Sequence, residues 1–240
     1  MRNYIDLHCH VLPGLDDGPK ALDAAVELVL GLEDLGFSTI CPTPHQKQGS
    51  WTPEPDEVTS AAADLREALA AAGSEAEILP PAGENMWDGL FLERLETADY
   101  PKYPGDKAFL VEFSTHAVPP ALKERFYEFR LAGRLAVVAH LERYSQLVQN
   151  HELVEDLAQG AALLVNLSSL GSWWGGREAR KLVTEGLIHA VATDCHNQVD
   201  IKAGRKGIKW LRSTMGESAT DSLLCKNPER ILKGELPVIG

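Results

Sequence analysis

Two histidines that alternate around a single residue stand near the beginning of the sequence. His8 and His10 end a short apolar run that begins at Ile5, and a Pro-Gly turn after them leads to Asp16 and Asp17. In a β-strand, residues two positions apart point to the same side. Imidazole and carboxylate groups that converge on one point are typical ligands of a divalent metal ion. The alternative for this stretch alone is a pair of surface histidines beside a polar turn.

Further histidines and acidic residues stand at or just beyond the ends of later strand-like segments. With the first stretch included, the candidate metal ligands are His8, His10, Asp17, His45, Glu84, Glu112, His140, Asp194 and His196. Any one of them, taken alone, is more often a structural or solvent-exposed residue. Burying nine such groups without partners would be very costly, whereas metal coordination satisfies them together. Their recurrence therefore predicts a metal centre.

The elements that must position these residues alternate between strand and helix about seven times. The predicted strands begin at Ile5 and then cover residues 38–41, 77–83, 108–111, 135–139, 161–166 and 188–193. The first predicted helix opens at Gly18-Pro19, has apolar residues at helical spacing from Leu22 to Leu35, and is ended by Gly36. The later predicted helices cover residues 56–72, 87–96, 119–132, 152–158 and 177–185, and a C-terminal helical region ends near residue 232. Continuous apolar strands of this kind favour a parallel sheet covered by helices.

Polar residues at the ends of such strands predict an α/β fold with a closed or nearly closed β/α barrel. The functional site of a barrel lies at the C-terminal face of its strands. The alternative is a doubly wound open sheet. The loop after the first strand lacks the G-x-G-x-x-G pattern of a dinucleotide-binding fold, which counts against that alternative.

Length and composition indicate one globular domain, which we expect to span residues 1–240. Hydrophobic residues make up 44% of the chain and charged residues 24%, which is typical of a globular protein. No apolar run reaches the length of about 18 residues that a membrane span needs. The N-terminus leads directly into a strand and shows no signal peptide, so we expect a cytoplasmic protein. The net charge of −12 disfavours nucleic acid and anionic membranes as partners.

The four cysteines, at positions 9, 41, 195 and 225, do not support thiol catalysis. They form no C-x-x-C pair, and three of them stand within or beside strand-like segments, as buried thiols do. The nearest approach to the C-x5-R loop of cysteine-dependent phosphatases is Cys225 with Arg230, which is one residue short. Cys195 stands between two candidate ligands, so on a strand its side chain points away from them and into the core.

The motifs as a set resemble the PHP (polymerase and histidinol phosphatase) superfamily. They are His8-Cys9-His10, Thr43-Pro44-His45, Glu84, Glu112, Ala139-His140-Leu141-Glu142-Arg143 and Asp194-Cys195-His196-Asn197. Within the superfamily, the chain is most similar to the CpsB-like manganese-dependent protein-tyrosine phosphatases of bacterial capsule and exopolysaccharide operons. The Leu-Pro-Gly-Leu-Asp-Asp-Gly segment at 12–18 and the Asn-Pro-Glu-Arg-Ile-Leu segment at 227–232 fit that branch.

The resemblance implies a distorted seven-stranded (β/α)7 barrel of the TIM type that holds three divalent metal ions, with Mn²⁺ the expected one. It divides the nine candidates among three sites: His8, His10, Glu84 and Asp194 for the first; Glu84, Glu112 and His140 for the second; and Asp17, His45 and His196 for the third. The ligand types themselves suit Mn²⁺, Fe²⁺ or Zn²⁺ and do not separate these ions.

The activity that the resemblance implies is hydrolysis of protein phosphotyrosine, with a bacterial tyrosine autokinase of polysaccharide export as the expected substrate. The planar fork of Arg143 would clamp the phosphate; the alternative is a surface arginine paired with Glu142. Relatives often carry another arginine soon after the His-Asn pair. Here residues 198–202 intervene before Arg205, which is a candidate second phosphate-binding cation. A tyrosyl leaving group has a pKa near about 10 and needs little protonation, which favours aryl phosphates.

Two other functions stay open at this stage. The first keeps the metal ions and acts on a small phosphate ester such as histidinol phosphate. The second is a catalytically silent, metal-stabilised interaction domain, which the intact set of nine candidates disfavours. Four aromatic residues on or beside loops of the predicted active face could flank an aromatic substrate or a peptide, or could serve core packing or subunit contacts: Trp51, Tyr144, Trp173 and Trp174.

Overall fold

The computed structural model describes residues 2–173 and 175–239. Over these residues it contains nine strands: β1 (Tyr4–Cys9), β2 (Phe37–Pro42), β3 (His45–Gln46), β4 (Glu77–Ile78), β5 (Glu84–Met86), β6 (Ala108–Glu112), β7 (Leu135–Val138), β8 (Ala162–Asn166) and β9 (Ala190–Ala192). The same residues form ten helices: α1 (Leu22–Leu35), α2 (Pro55–Ala71), α3 (Gly89–Thr97), α4 (Leu122–Leu131), α5 (Ser145–Val148), α6 (His151–Ala158), α7 (Leu167–Gly171), α8 (Arg177–Thr184), α9 (Gln198–Asp221) and α10 (Asn227–Leu232). None of these described helices combines the length and the apolar character that crossing a membrane requires.

The strands form a curled parallel arrangement whose order follows the chain. One sheet has the order β1-β2-β4 and the other has the order β3-β5-β6-β7-β8-β9. The chain after β9 returns to the end of β1, because the N–H of Asp194 donates to the carbonyl of His8 at 2.8 Å and the N–H of His10 donates to the carbonyl of Cys195 at 2.9 Å. A doubly wound sheet would instead reverse its order at a switch point. The α/β, barrel-like class predicted from the sequence is therefore confirmed.

The described residues contain nine strands where the sequence predicted seven, because two short strands, β3 and β5, follow β2 and β4 after prolines. Pro42 is the last residue of β2, two residues lie between it and β3, and the pair Pro80-Pro81 lies between β4 and β5. A proline has no N–H to donate to a neighbouring strand. The prediction of one continuous strand over residues 77–83 is therefore wrong, and Glu84 begins β5 instead of following a strand.

Helix α1 ends at Gly36 as predicted, and the φ of 106° of Gly36 is one that glycine adopts readily. The predicted start at Gly18-Pro19 is wrong, because the N–H of Gly18 donates to Asp16 in a turn and the helix begins only at Leu22. Helix α4 begins later than predicted, at Leu122 instead of Pro119. Pro119 precedes a second proline, and a residue in that position is pushed away from helical backbone angles. The other predicted helices are present, with ends shifted by at most two residues.

Strand β6 shows how the apolar side chains divide into two layers. Ala108 and Leu110 belong to an inner cluster with residues of neighbouring strands such as Val137. Phe109 and Val111 belong to the outer cluster, where the strands pack against the helices. The alternation follows from the pleat of the strand. Because side chains fill both layers, the sheet holds its polar strand ends on a rigid support.

His189, which precedes β9, is a buried histidine far along the strand from the candidate ligands. The N–H of Leu163 donates to its Nδ1 atom at 3.0 Å. Burial lowers the pKa of His189 to about 4, below the value of about 6.5 of an unfolded histidine. The neutral form therefore stabilises the folded state above pH 6.5. This contribution, about 3 kcal/mol in total, is lost as the pH falls from 6.5 towards 4.

We expect His189→Asn to flatten the pH dependence of stability between pH 6.5 and 4. Asparagine offers an acceptor oxygen near the position of Nδ1 but takes up no proton. The free energy of unfolding of the wild type and of the variant, each freed of metal by a chelator, should be measured by denaturant titration across this range. Parallel curves for wild type and variant would show that His189 does not cause the acid sensitivity.

Candidate metal centre

One edge of the parallel strands brings all nine sequence-predicted ligands together. They fall into four overlapping groups, within each of which the ligand atoms lie within 4.8 Å of one another: His8, Glu84 and His140; His8, His10 and Asp194; His45, Glu84 and Glu112; and His10, Asp17, His45 and His196. We call the last of these the outer group, because it includes the most exposed candidate, Asp17. Each of the other three groups contains Glu84, His8 or both, and these groups are more buried than the outer group.

Glu84 lies at the middle of the cluster and is fully buried. Its Oε1 atom is 2.8 Å from Nε2 of His140 and 3.2 Å from Nε2 of His8. Its Oε2 atom is 2.8 Å from Nδ1 of His45 and 3.4 Å from Nε2 of His10. A carboxylate whose two oxygens face different sets of imidazoles has the geometry of a bridging ligand.

Asp194 is divided in the same way between two sets of partners. Its Oδ1 atom lies 3.4 Å from Nε2 of His8 and 3.5 Å from Nε2 of His10. Its Oδ2 atom accepts hydrogen bonds from Nδ2 of Asn166 at 2.6 Å and from Nη2 of Arg143 at 2.5 Å. One oxygen is thus available to the centre while the other is held by the surrounding side chains.

The outer group closes the site towards solvent. Oδ1 of Asp17 lies 3.1 Å from Nε2 of His196 and 3.5 Å from Nε2 of His45. The rings of His10 and His196 stack, with their centroids 4.0 Å apart. Glu112 lies on the opposite side of His45, with its Oε1 atom 3.4 Å from Nδ1 of that ring.

Several buried atoms of the centre have no hydrogen-bond partner among the described residues. They include Oε2 of Glu84, Oε1 of Glu112 and Nδ1 of His45. Nδ1 of His45 lies 2.8 Å from Oε2 of Glu84, yet the two do not meet the geometry of a hydrogen bond. Buried polar atoms are normally satisfied, and lone pairs that converge without hydrogen bonds suit a cation. The residues present therefore fit divalent metal ions.

The charges of the centre depend strongly on one another. Burial alone would raise the pKa of Glu84, but the charge of His8 and hydrogen bonds from neighbouring histidines hold it well below its usual range. Burial lowers the pKa of His45, whereas its contacts with Glu112 and Glu84 outweigh that effect and raise the pKa to about 10. A metal ion must displace protons held in this way, so metal affinity should rise with pH.

Three residues support the centre in roles that the sequence did not predict for them. Asp16 accepts a hydrogen bond from Nδ1 of His10 at 2.7 Å, and Tyr144 contacts Nδ1 of His140 through its hydroxyl at 3.1 Å. Asn166 holds Asp194, as described above. The pair Asp16-Asp17 was visible in the sequence, but no local pattern distinguishes the buried aspartate from the exposed one.

The two arginines predicted to bind phosphate lie in different places. Arg143 follows His140 in the 3₁₀ turn Leu141–Arg143, and it lines a cleft of about 380 Å³ together with Asp17 and Asp194. Arg205 instead lines a cleft with Asp34 at the C-terminal end of α1. Arg205 is not among the residues that line the cleft of Arg143. A phosphate-binding role for Arg205 therefore stays a prediction.

The four aromatic residues of the predicted active face also differ in position. The ring of Trp51 stacks on that of His45, with centroids 5.0 Å apart and planes 17° apart. Tyr144 is buried and accepts the N–H of Phe113 at 3.0 Å, so it supports the core and His140 instead of flanking a substrate. Trp173 is exposed, and Trp174 lies outside the described residues.

The cysteines near the centre are poor nucleophiles. Burial raises the pKa of Cys9 and of Cys195, and it raises the pKa of Cys41 to about 12. The reactive form of a cysteine is the thiolate, which these environments suppress. Cys195 packs in the outer apolar cluster, as the sequence predicted.

A model of the family described as "Capsular polysaccharide synthesis, CpsB/CapC" matches residues 4–233. The chain belongs to this family. Among CpsB/CapC relatives, the tyrosine-protein phosphatase YwqE of Bacillus subtilis (strain 168) is 32% identical over 197 residues, which are 80% of this chain and 77% of the relative. The resemblance stated from the sequence motifs is confirmed.

Solved structures of other proteins have the same fold as this CpsB/CapC chain. The crystal structures of YwqE from Bacillus subtilis and CpsB from Streptococcus pneumoniae are described as "unique metal-dependent tyrosine phosphatases"; the match has a TM-score of 0.87 at 28% identity and covers 98% of this chain and 97% of that chain. Histidinol phosphate phosphatase from Lactococcus lactis, crystallised with zinc, L-histidinol and phosphate, has a TM-score of 0.55 at 14% identity, covers 87% of this chain and 94% of that chain, and shares the fold alone.

We expect metal-replete protein to hold about three ions per chain, as three ligand sets predict, and Glu84→Gln to hold at least one fewer. The amide carries no negative charge and cannot bridge two cations. Elemental analysis after removal of free metal gives the stoichiometry. Glu142→Gln is the control, because Glu142 is a half-buried carboxylate that accepts hydrogen bonds from Ser169 and the N–H of Asn166. Equal metal content in wild type and Glu84→Gln would show that Glu84 is no ligand.

Proposed function

We propose that the chain is a metal-dependent phosphomonoesterase that removes phosphate from phosphotyrosine in a protein. The observation that carries this proposal is the cluster of nine imidazole and carboxylate ligands beside the partly exposed guanidinium of Arg143. Cations and a guanidinium in one cleft suit a phosphate dianion. The names of the CpsB/CapC relatives supply the tyrosyl substrate class.

The nine residues would hold three divalent ions in the sets that the sequence motifs suggest, with Mn²⁺ expected ahead of Fe²⁺ or Zn²⁺. Glu84 and His10 each face more than one set, which supports closely spaced ions that share ligands. We also infer that residues 1–240 form a single domain, and that β2 with β3 and β4 with β5 are interrupted strands of one seven-position barrel. The continuous run of parallel pairings supports that inference.

Arg143 would bind the phosphate group of the substrate. Its side chain is about half exposed and uses Nη2 for Asp194, so other N–H groups of the fork can face the cleft. Asp194 holds the guanidinium of Arg143, and Asn166 in turn holds Asp194. Two parallel hydrogen bonds to a phosphate would fix its orientation as well as offset its charge.

The residues of the centre fix where water and phosphate meet. When bound, divalent ions supply the Lewis acidity that activates a water molecule and offsets the charge of the phosphate. Asp16 and Tyr144 hold two of the ligand imidazoles, so the ligands are oriented before substrate arrives. A phenolate leaving group, with a pKa near about 10, departs with little help from a proton donor. A tyrosyl phosphate is therefore an easier substrate than a seryl phosphate.

The protein partner would be a tyrosine autokinase of polysaccharide synthesis. The CpsB/CapC family belongs to capsular polysaccharide synthesis, which supports a substrate from the same system. A histidinol-phosphate phosphatase remains the alternative, since an enzyme of that activity shares the fold.

We expect activity on a phosphotyrosyl peptide to disappear on chelation and to return when Mn²⁺ is restored. Turnover of histidinol phosphate, measured in parallel, should be at least about tenfold slower because its alkoxide is a poor leaving group. Pretreatment with iodoacetamide serves as a control and should leave the rate unchanged, since the buried thiols are protonated. Faster turnover of histidinol phosphate would overturn the proposed substrate, and activity in the chelated enzyme would overturn the mechanism.

We expect Arg143→Ala to lower kcat/KM on an aryl phosphate by roughly thirty- to a hundred-and-fifty-fold, the equivalent of about 2–3 kcal/mol. Arg143→Lys should not restore the rate, because lysine is a point charge without the planar fork. Metal content should stay at the wild-type level in both variants. Arg205→Ala, measured in parallel, tests the second predicted arginine, and a wild-type rate would exclude Arg205 from phosphate binding. Wild-type kcat/KM in both Arg143 variants would exclude a phosphate-binding role.

A further inference from the structure

Asp16 is a buried carboxylate that is not itself a member of any of the four ligand groups. It stands beside Asp17, whose side chain is 46% exposed and belongs to the outer group. Neighbouring aspartates have thus been separated into one that faces the site and one that lies behind it. The contacts of Asp16 show what the buried one does.

The Nδ1–H of His10 donates to Oδ2 of Asp16 at 2.7 Å. A histidine that gives its proton to a carboxylate through Nδ1 keeps the lone pair of Nε2 for a metal ion. Nε2 of His10 is directed into the centre, 3.4 Å from Oε2 of Glu84 and 3.5 Å from Oδ1 of Asp194. Asp16 therefore selects the tautomer of His10 that can act as a ligand.

The same carboxylate fixes the turn that carries Asp17. Its Oδ1 atom accepts the N–H of Gly18 at 3.0 Å, which closes a short turn around Asp17. Gly18 passes directly over the chain of His10, because a Cβ atom on it would lie 2.3 Å from the carbonyl oxygen of that residue. The turn can approach so closely only with glycine at this position.

Asp16 also reaches a second strand. Its Oδ2 atom accepts the backbone N–H of His45 at 3.1 Å, at the first residue of β3. One carboxylate thus holds His10 through its ring, Asp17 through the turn and His45 through its backbone. These are three of the four members of the outer group.

We infer that Asp16 is a positioning residue that organises the outer group as a metal site and selects the ligand tautomer of His10. The inference rests on the proposed metal-dependent function. It assigns Asp16 no contact with substrate or metal. Loss of the carboxylate should therefore weaken the ions that His10 and the outer group hold, while the ion of Glu84, Glu112 and His140 keeps its ligands.

Asp16→Asn tests the inference with little change in volume. The amide has one acceptor oxygen where the carboxylate has two, and its NH2 group cannot accept. Either the N–H of Gly18 or both Nδ1 of His10 and the N–H of His45 therefore lose their acceptor, and the negative charge behind His10 is lost in both cases. We expect the ions that His10 and the outer group hold to bind about 10- to 100-fold more weakly in a chelator competition, as is typical for loss of a carboxylate behind a metal-bound histidine. The affinity of the ion held by Glu84, Glu112 and His140 should stay close to that of wild type.

Asp88→Asn is the matched control. Asp88 is also a loop carboxylate with two backbone donors, the N–H of Phe91 at 3.0 Å and the N–H of Gln48 at 2.8 Å, but neither partner is a histidine. This variant should lose a comparable amount of loop stability and keep all metal affinities. Equal weakening in both variants would show that loop stability alone matters, and would overturn the inference.

A spectroscopic measurement on the wild-type protein keeps the test independent of the fold of the variant. In zinc-loaded protein with ¹⁵N-labelled histidine, the ring of His10 should show a slowly exchanging proton on Nδ1 and none on Nε2. His10→Gln identifies the resonance. A proton on Nε2, or unchanged metal affinities in Asp16→Asn, would overturn the role of Asp16. Neither measurement depends on phosphatase activity. A wild-type protein that binds metal but hydrolyses no phosphotyrosine would therefore contradict the proposed function and leave this inference intact.

Discussion

The buried carboxylate of Glu84 places the strongest demand on this structure. Four imidazole nitrogens lie within 3.4 Å of its two oxygens, and no water-exposed surface relieves its charge. An ionised carboxylate in such a place is costly unless positive charge surrounds it. Protons on the histidines or cations among them must supply that charge. The centre is therefore either protonated or metal-bound, and its chemistry follows from the second state.

The backbone meets this demand by turning sharply where two strands stop. His140 follows β7 with a φ of 33°, and Asp194 follows β9 with a φ of 50°. Left-handed backbone is uncommon for residues other than glycine, although histidine and aspartate adopt it more often than most. Such conformations persist at functional sites because the surrounding structure holds them. Here the hydrogen bonds from Asn166 to Asp194 and between Tyr144 and His140 provide that hold.

The sequence predicted those features that depend on local patterns. The C-terminal end of helix α1 could be predicted because its apolar spacing and Gly36 act within one stretch of chain. The nine residues were found together because each stands near a strand end, a position that parallel strands bring to one face. The division of β4 from β5 depends on prolines whose effect on pairing requires the neighbouring strand. The positions of Arg205 and Tyr144, and the role of Asp16, depend on contacts between distant segments, which no local pattern contains.

The stacking of Trp51 on His45 has an optical consequence. An indole held nearly parallel to an imidazole is sensitive to the charge of that ring. Without metal, the raised pKa of His45 keeps its ring cationic near neutral pH. When a metal ion binds, it would replace the proton on the ring nitrogen and lie at a different distance from that nitrogen. The fluorescence of Trp51 should therefore change as the outer group fills, so that the protein carries its own indicator of occupancy at the site nearest to solvent.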